Sequence, residues 1–552
     1  MARLDRLAPV KEVAQTGAVI GREFSHQLLA AVSPLGGTEL EESLDRLLGS
    51  ELVFRRGIPP QATYIFKHAL VQDAAYATLL RSRKQQLHAR VAQVLRERFP
   101  EQAEAEPEIL ASHCTKAGLT KDAIVYWLLA GQRATERSAN VEAISHLTAG
   151  LQLLAAQPDS PERAKQELMF QISLAIPFTA AKGYAAPETA RAYTRARELC
   201  NVLGDTKQLL PAMYGEWVYH MVKAHQQDAK IVAEESLRLA EEYRSPDGIV
   251  VAHRLLGLTF LNLGRLLPAR EHMEQVVKLY EPEAHRSLGF RYGQDPRAVA
   301  LSFLAWIEWL LGYPAIALKH CHEAIDLAHD LAHATTRAYT LSVAPYVHCF
   351  CRDLAGAHKA AEAAVAFCEE ERNPFWLAMA RVVWGWVLAE EEQTARGLAE
   401  IRRGLDEWRA TDSAWLWPTY LALLAEALVK ANQNEEAFGA IDEALATVRE
   451  TSEGLYESEL HRLRGTILLQ LSQQQNEARA EKEYLEALEI ARNQAAKSLE
   501  LRAATSLAGL WREQGKVQQT RELLAPVYGW FTEGFDTRDL KEAKALLEEL
   551  AA

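Results

Sequence analysis

The chain is 552 residues long, 49% hydrophobic and 24% charged, a soluble composition spread over a length too great for one globular core. Its 74 Asp and Glu against 61 Lys and Arg give a net charge of −13, which argues against non-specific attraction to nucleic acid or an anionic membrane over the molecule as a whole. Cys114, Cys200, Cys321, Cys349, Cys351 and Cys368 form no CxxC pair, and neither an apolar leader nor an uncharged apolar stretch of membrane-spanning length is present, so a reduced, cytoplasmic protein is expected.

Residues 1–100 carry 14 Lys and Arg against 10 acids, a balance of +4, leaving −17 for residues 101–552. In this first module, apolar residues at helical spacing predict helices over Leu4–Ala14, Phe24–Val32 and Leu40–Leu52. Two strands follow, Leu52–Arg55 and Thr63–Phe66, around a turn-rich Arg56–Pro60, and further helices run from Ala69 to about Arg98. Three helices with a β ribbon match a winged-helix-like adaptor module. Its recognition helix would be Thr38–Leu52, which holds Glu39, Glu41, Glu42, Asp45 and Glu51 against Arg46 alone. That face repels phosphates, and only Arg55-Arg56 and Arg81, Arg83, Lys84 cluster basic charge, so DNA binding is disfavoured.

From residue 101 onward strand signals vanish. Residues 101–210 read as helical hairpins, with Gly118/Ala123/Trp127/Ala130 as one turn and its packing face, and Lys182–Glu188 interrupts the pattern. Residues 211–552 repeat. A small residue, an apolar one four later and a small or apolar one three beyond occur at Ala229/Ala233/Ser236, Ala269/Met273/Val276, Ala317/Cys321/Ala324, Ala357/Ala361/Ala364, Gly397/Ile401/Gly404, Ala437/Ile441/Ala444, Ala480/Tyr484/Ala487 and Thr520/Leu524/Val527. Successive triplets begin 40, 48, 40, 40, 40, 43 and 40 residues apart. The fold class is therefore all-α, a tetratricopeptide-like superhelix whose helices exceed those of the usual repeat of about 34 residues. Gly264 and Gly515 are placed to end first helices with positive φ.

Chemistry-bearing motifs are scarce. No phosphate loop and no GxGxxG turn occur, so no cofactor is assigned. His329 and His333 stand one turn apart, but Asp330 sits where a zinc protease needs Glu and no third ligand is assignable, so no metal is assigned either. Cys349 and Cys351 read as packing residues, and Glu369–Glu371 and Glu390–Glu392 as solvated helix ends. The tryptophans Trp306/Trp309, Trp384/Trp386 and Trp415/Trp417 come in close pairs; one member of each of the latter two is expected in the core, leaving the other to line a concave groove, and these six are the candidate ligand residues.

Several stretches carry a resemblance: Val10–Gln15 with Gly17–Ser25, Tyr64–Tyr76, Lys182–Glu188, Tyr292–Pro296, Glu457–Arg464 and Tyr528–Leu547. Together they resemble the C-terminal winged-helix and tetratricopeptide region of bacterial adenylate/guanylate cyclase and predicted-ATPase proteins of the STAND type. The cyclase aspartates and ATPase phosphate loop of that family have no counterpart here, so the resemblance implies a non-enzymatic half, from a split gene product or a longer protein. It implies a sensor and scaffold that binds a protein partner or small effector in its concave face, with a separate cyclase/ATPase polypeptide as one possible partner. A DNA-linked regulator of the ATP-dependent activator type is the alternative.

Overall fold

The computed structural model describes residues 8–550 apart from Ser138 and residues 472–475, so the expected helix start at Leu4 lies outside the described residues. The chain divides into two compact units, Met1–Ala181 and Lys182–Ala552.

The first unit opens with α1 (Ala8–Ile20), β1 (Glu23–Ser25), α2 (His26–Val32), α3 (Gly37–Gly49), β2 (Val53–Arg56) and β3 (Thr63–Phe66). The three strands form an antiparallel sheet in the order β1-β3-β2, with Glu23 opposite Ile65 and Val53 opposite Phe66. Strand β1 was not expected, being only three residues long and lacking an alternating run. Val13, Leu44, Tyr64 and Phe66 close the core between helices and sheet. The outer face of α3 leaves Glu39, Glu42, Asp45 and Arg46 exposed, as its sequence predicted. Then come α4 (Ala69–Ala77), α5 (Arg81–Arg98), α6 (Pro100–Ala105), α7 (Pro107–Ala117), α8 (Thr120–Glu136), α9 (Asn140–Ala155) and α10 (Pro161–Lys182). Gly118 has φ +77° between α7 and α8, and Ala123 and Ala130 are buried against the neighbouring helices.

The second unit is a series of helix pairs after α11 (Pro187–Leu203): α12 (Thr206–Val222) with α13 (Gln226–Glu242), and α14 (Pro246–Asn262) with α15 (Leu266–Leu279). Two short helices, α16 (Pro282–His285) and α17 (Leu288–Tyr292), are inserted there and account for the single 48-residue spacing. The pairs resume as α18 (Pro296–Leu311) with α19 (Pro314–Leu331), α20 (Ala334–Phe350) with α21 (Leu354–Glu370), and α22 (Pro374–Glu390) with α23 (Thr394–Ala410). They continue as α24 (Trp417–Lys430) with α25 (Asn434–Thr451), α26 (Glu457–Gln470) with α27 (Asn476–Asn493), and α28 (Lys497–Glu513) with α29 (Val517–Tyr528), closed by α30 (Arg538–Glu549). The fold is an all-α helical-repeat superhelix.

Every one of the eight small-residue triplets lies on the second helix of a pair, and all of its members are buried. The reason is visible where α22 crosses α23. A Cβ added to Gly397 would stand 2.5 Å from the Gly385 carbonyl oxygen, so only glycine permits that approach. The first helices start cleanly because Pro246, Pro296 and Pro374 occupy their first turns while Ser245, Asp295 and Asn373 cap them by accepting backbone N–H bonds. Gly264 and Gly515 have positive φ, as expected, but most interhelix turns place Ala224, Arg352, Glu392 or Asn432 in that region instead.

The superhelix closes on itself. The Val222 carbonyl accepts from Ala414 N–H at 2.7 Å and from Ser413 Oγ at 3.1 Å; the Asn262 carbonyl accepts from Leu455 N–H at 3.2 Å. Ser498 Oγ donates to the Trp309 carbonyl at 2.5 Å, 189 residues along the chain. These contacts all join positions nearly five repeats apart, so the first helices face one another across the superhelix axis. Fifteen of the sixteen residues of α18 are buried, the signature of a helix with packing on all sides. The axis is filled by side chains, and the space that remains there is in cavities.

Candidate functional site

The larger cavity, about 280 Å³, is lined by the first helices of successive pairs and by α30. Glu390, Glu426, Arg462, Arg502 and Arg538 mark it at one position per repeat, 36, 36, 40 and 36 residues apart. Their common place on the inner helices turns them toward the same space because the superhelix winds so tightly.

Each cation of this cavity meets a carboxylate. Arg352 donates to both oxygens of Glu426, at 2.6 and 3.1 Å, and Trp386 Nε1 donates to the same carboxylate at 2.7 Å. Arg462 donates Nε and Nη2 to the two oxygens of Glu459 at 2.8 and 2.7 Å. Arg502 donates Nε to Asp539 at 2.8 Å, Nη1 to Glu459 at 3.3 Å and Nη2 to the Phe350 carbonyl at 2.7 Å, with its guanidinium 4.9 Å from the Trp309 ring centre. Lys430 pairs with Glu390 at 2.9 Å, and at the exposed rim Arg538 donates to Glu542 at 2.7 Å.

Burial opposes charge at Glu459, yet the Arg462 and Arg502 guanidiniums outweigh it and hold the carboxyl at about 2. Burial likewise opposes charge at Glu426, and Arg352 overcomes it to leave the carboxyl below its ordinary range. Val429, Leu463 and Ile467 supply apolar wall between the charges. The result is a pre-organised surface of both signs, suited to holding a polar ligand or chain segment by exchange of ion pairs at the rim.

The six candidate tryptophans are distributed differently. Trp306 is fully buried and donates to the Val343 carbonyl at 3.3 Å, and Trp309 stacks on Phe350 at 4.8 Å. Trp384 is half-buried, edge-on to His358 at 5.0 Å, while its neighbour Trp386 is buried and braces Glu426 in the charged cavity. Trp417 is buried and donates to Glu443 at 3.0 Å. Trp415 is buried, donates to Asn262 Oδ1 at 3.2 Å and lines a second, smaller cavity.

His329 is exposed at the end of α19, whereas His333 caps α20 through its Nδ1 and Thr336. Cys349 and Cys351 are buried packing residues, as are the other four cysteines. The acidic runs are not simply solvated ends: Glu369 pairs with the buried Arg381 at 2.5 Å, Glu390 enters the cavity, and Glu391 pairs with His358 at 2.8 Å.

Sequence reasoning missed Glu426, Glu459 and Arg502. The signal that would have found Glu426 and Arg502 is a charged residue recurring once per repeat on the first helix, rather than the small residues of the second; Glu459, three residues before Arg462, falls outside that row. It also missed His220, His225 and Asp228, around the α12–α13 turn, whose ligand atoms lie within 4.8 Å of one another and could each offer one atom to a divalent ion. Among the described residues no helix is long and apolar enough to cross a membrane.

No protein-family model matches the chain. It is 26% identical over 518 residues to an uncharacterized protein of Rhizobium meliloti (strain 1021), covering 92% of this chain and 49% of that protein. The chain thus spans about half the length of this curated relative. Among solved structures it is similar to a Rap protein complexed with competence and sporulation factor (TM-score 0.46, 12% identity, 67% of this chain and 98% of that one). It is also similar to the Cut9–Hcn1 hetero-tetramer of APC/C (TM-score 0.45, 12% identity, 88% and 95%). A third is a signal transduction ATPase with numerous domains and a tetratricopeptide repeat sensor from Pyrococcus horikoshii (TM-score 0.37, 11% identity, 99% and 65%).

Proposed function

We propose that the chain is a regulatory sensor and protein-interaction scaffold, equivalent to the C-terminal half of a signalling cyclase/ATPase, that takes its partner at the charged cavity. The observation carrying this reading is the convergence of first helices from successive repeats on one set of buried, mutually bonded charges. Such a network resists rearrangement inside while its rim, Arg538 and Glu542, is exposed for exchange with a partner. In this reading residues 1–100 are the winged-helix adaptor, 101–210 lead into the solenoid and 211–552 sense. The helix–strand–helix–helix–strand–strand order of the first unit supports the adaptor assignment. In this reading the nucleotide chemistry comes from outside residues 1–552, on a separate cyclase/ATPase polypeptide or in a longer protein.

The test is sedimentation of the chain with the cyclase/ATPase polypeptide of its own genome. A complex is expected, weakened about tenfold or more by Arg538→Glu, which reverses an exposed cation; absence of a complex overturns the reading. The DNA-linked alternative predicts salt-steep binding of duplex DNA by fluorescence anisotropy, whereas the exposed acids of α3 predict none.

A further inference from the structure

The second cavity, about 50 Å³, lies among α12, α14, α20, α22 and the turns carrying Tyr184, Gln294 and Trp415. It gathers two of the loop motifs that interrupt the repeats, Lys182–Glu188 through Tyr184 and Tyr292–Pro296 through Gln294. Seven of its thirteen lining residues are aromatic, and Arg254 is the one charged residue among them.

Arg254 is 3% exposed. Its guanidinium donates Nη1 to the Gln294 carbonyl at 3.3 Å, and Nη2 to Gln294 Oε1 at 2.6 Å and to Tyr214 Oη at 3.3 Å. All three acceptors are neutral, and among the described residues its Nε–H has no acceptor. Tyr339, 3% exposed and lining the same cavity, has a hydroxyl without a partner. A guanidinium cannot lose its proton at physiological pH, so burial without a carboxylate leaves a full charge uncompensated. Two buried donors therefore border one aromatic cavity that lacks an anion.

We propose that this cavity binds a short-chain monocarboxylate of the size of acetate, the carboxylate at Arg254 and Tyr339 and the methyl against Tyr214, Trp376 and Trp415, since a ring needs a cavity of roughly 150 Å³. One guanidinium balances one carboxylate; a phosphate dianion would need a second cation, and the cavity lining has none. The aromatic walls match a methyl or short hydrocarbon, which a hydrated sugar or a metal ion would not use. The residues of the lining that keep partial exposure, Tyr184, Tyr214 and Val218, mark the side open to solvent. Occupation would tie α12, α14, α20 and α22 to one ligand, which gives a small effector a differential grip on one arrangement of the superhelix. The inference is separate from partner binding at the charged cavity: each is read by its own measurement, and either can fail alone.

Titration of the full chain with acetate, followed by intrinsic tryptophan fluorescence and calorimetry, tests it. Saturable binding is expected, at least about tenfold weaker in Arg254→Met and several-fold weaker in Tyr339→Phe, with acetamide, the uncharged analogue, about tenfold weaker on the native chain. Arg254→Lys, which keeps the charge, restores part of the affinity and covers the case in which Arg254→Met fails to fold. Equal binding of acetamide, unchanged affinity in Tyr339→Phe and Arg254→Lys, or no saturable binding of acetate or propionate would each overturn the proposal.

Discussion

Two cavities of the second unit hold arginines in opposite circumstances. At the charged cavity Arg352, Arg462 and Arg502 are each bonded to Glu426, Glu459 or Asp539, and their donors are satisfied within the protein. At the aromatic cavity Arg254 is as deeply buried and has only neutral acceptors. A buried guanidinium with its carboxylate is a structural tie, costly to break from either end; one without a carboxylate is an incomplete site. The difference separates guanidiniums whose charge is balanced by carboxylates of the same cavity from one whose cavity lining holds no carboxylate.

The sharpest way to break this contrast is to remove the carboxylate from one side. Glu459→Ala leaves the half-buried Arg462 without its bidentate partner and takes one of two acids from the buried Arg502. A loss of about 3–5 kcal/mol is expected by urea denaturation. The same tie is pH-dependent. Because the Glu459 carboxyl is held at about 2 in the folded chain, its contribution is complete above the ordinary glutamate range near 4.5 and is lost as pH falls from there toward 2. A loss under about 1 kcal/mol in the variant would make the network ornamental.

Glu453 shows what the same residue type does without a cation. It lies six residues before Glu459, is 1% exposed, and accepts from Leu416 N–H at 3.2 Å next to Trp415 of the aromatic cavity. Burial pushes its carboxyl up to about 8 against the opposing pull of that N–H. Its folded value stands above the unfolded one near 4.5, so the folded chain holds more protons between those limits and stability falls as pH rises through that window, by up to about 1.4 kcal/mol per pH unit. Glu453→Gln should flatten the fall in thermal midpoint between pH 5 and 8; an unchanged slope would mean the acid is already ionised and paired.

The repeats were legible because their constraint is local. A residue that touches its own partner helix must be small at fixed spacing, and Ala361, Gly397 and Ala437 declare it. The turns were legible only in part. The sequence pattern asks for glycine at a positive φ, but Ala224 and Glu392 hold that conformation because the helices on both sides are already fixed by packing. The cavities were not legible, since they depend on how far the superhelix winds. Contacts such as Ser498 to Trp309 join positions nearly five repeats apart, and no local pattern encodes that interval. Hence Trp306 and Trp309, read as groove candidates, fill the axis, and Glu459, outside the row of one charge per repeat, gave no separate signal.

Arg254→Met is the smallest of the three effects and the most direct comparison with Glu459→Ala. In the absence of ligand, methionine keeps the apolar stem among Tyr214, Trp217 and Tyr339 while removing a charge that no carboxylate balances. It also removes three hydrogen bonds to neutral acceptors, of which the Gln294 amide is the shortest at 2.6 Å. Relief of an unpaired buried charge outweighs those bonds, so the variant should gain about 1 kcal/mol by urea denaturation, where Arg462→Met at the charged cavity should lose stability by stranding Glu459. The signs, more than the sizes, carry the test. If Arg254→Met and Arg462→Met destabilise alike, Arg254 is held by the fold as firmly as the paired arginines, and the two cavities are the same kind of structural tie.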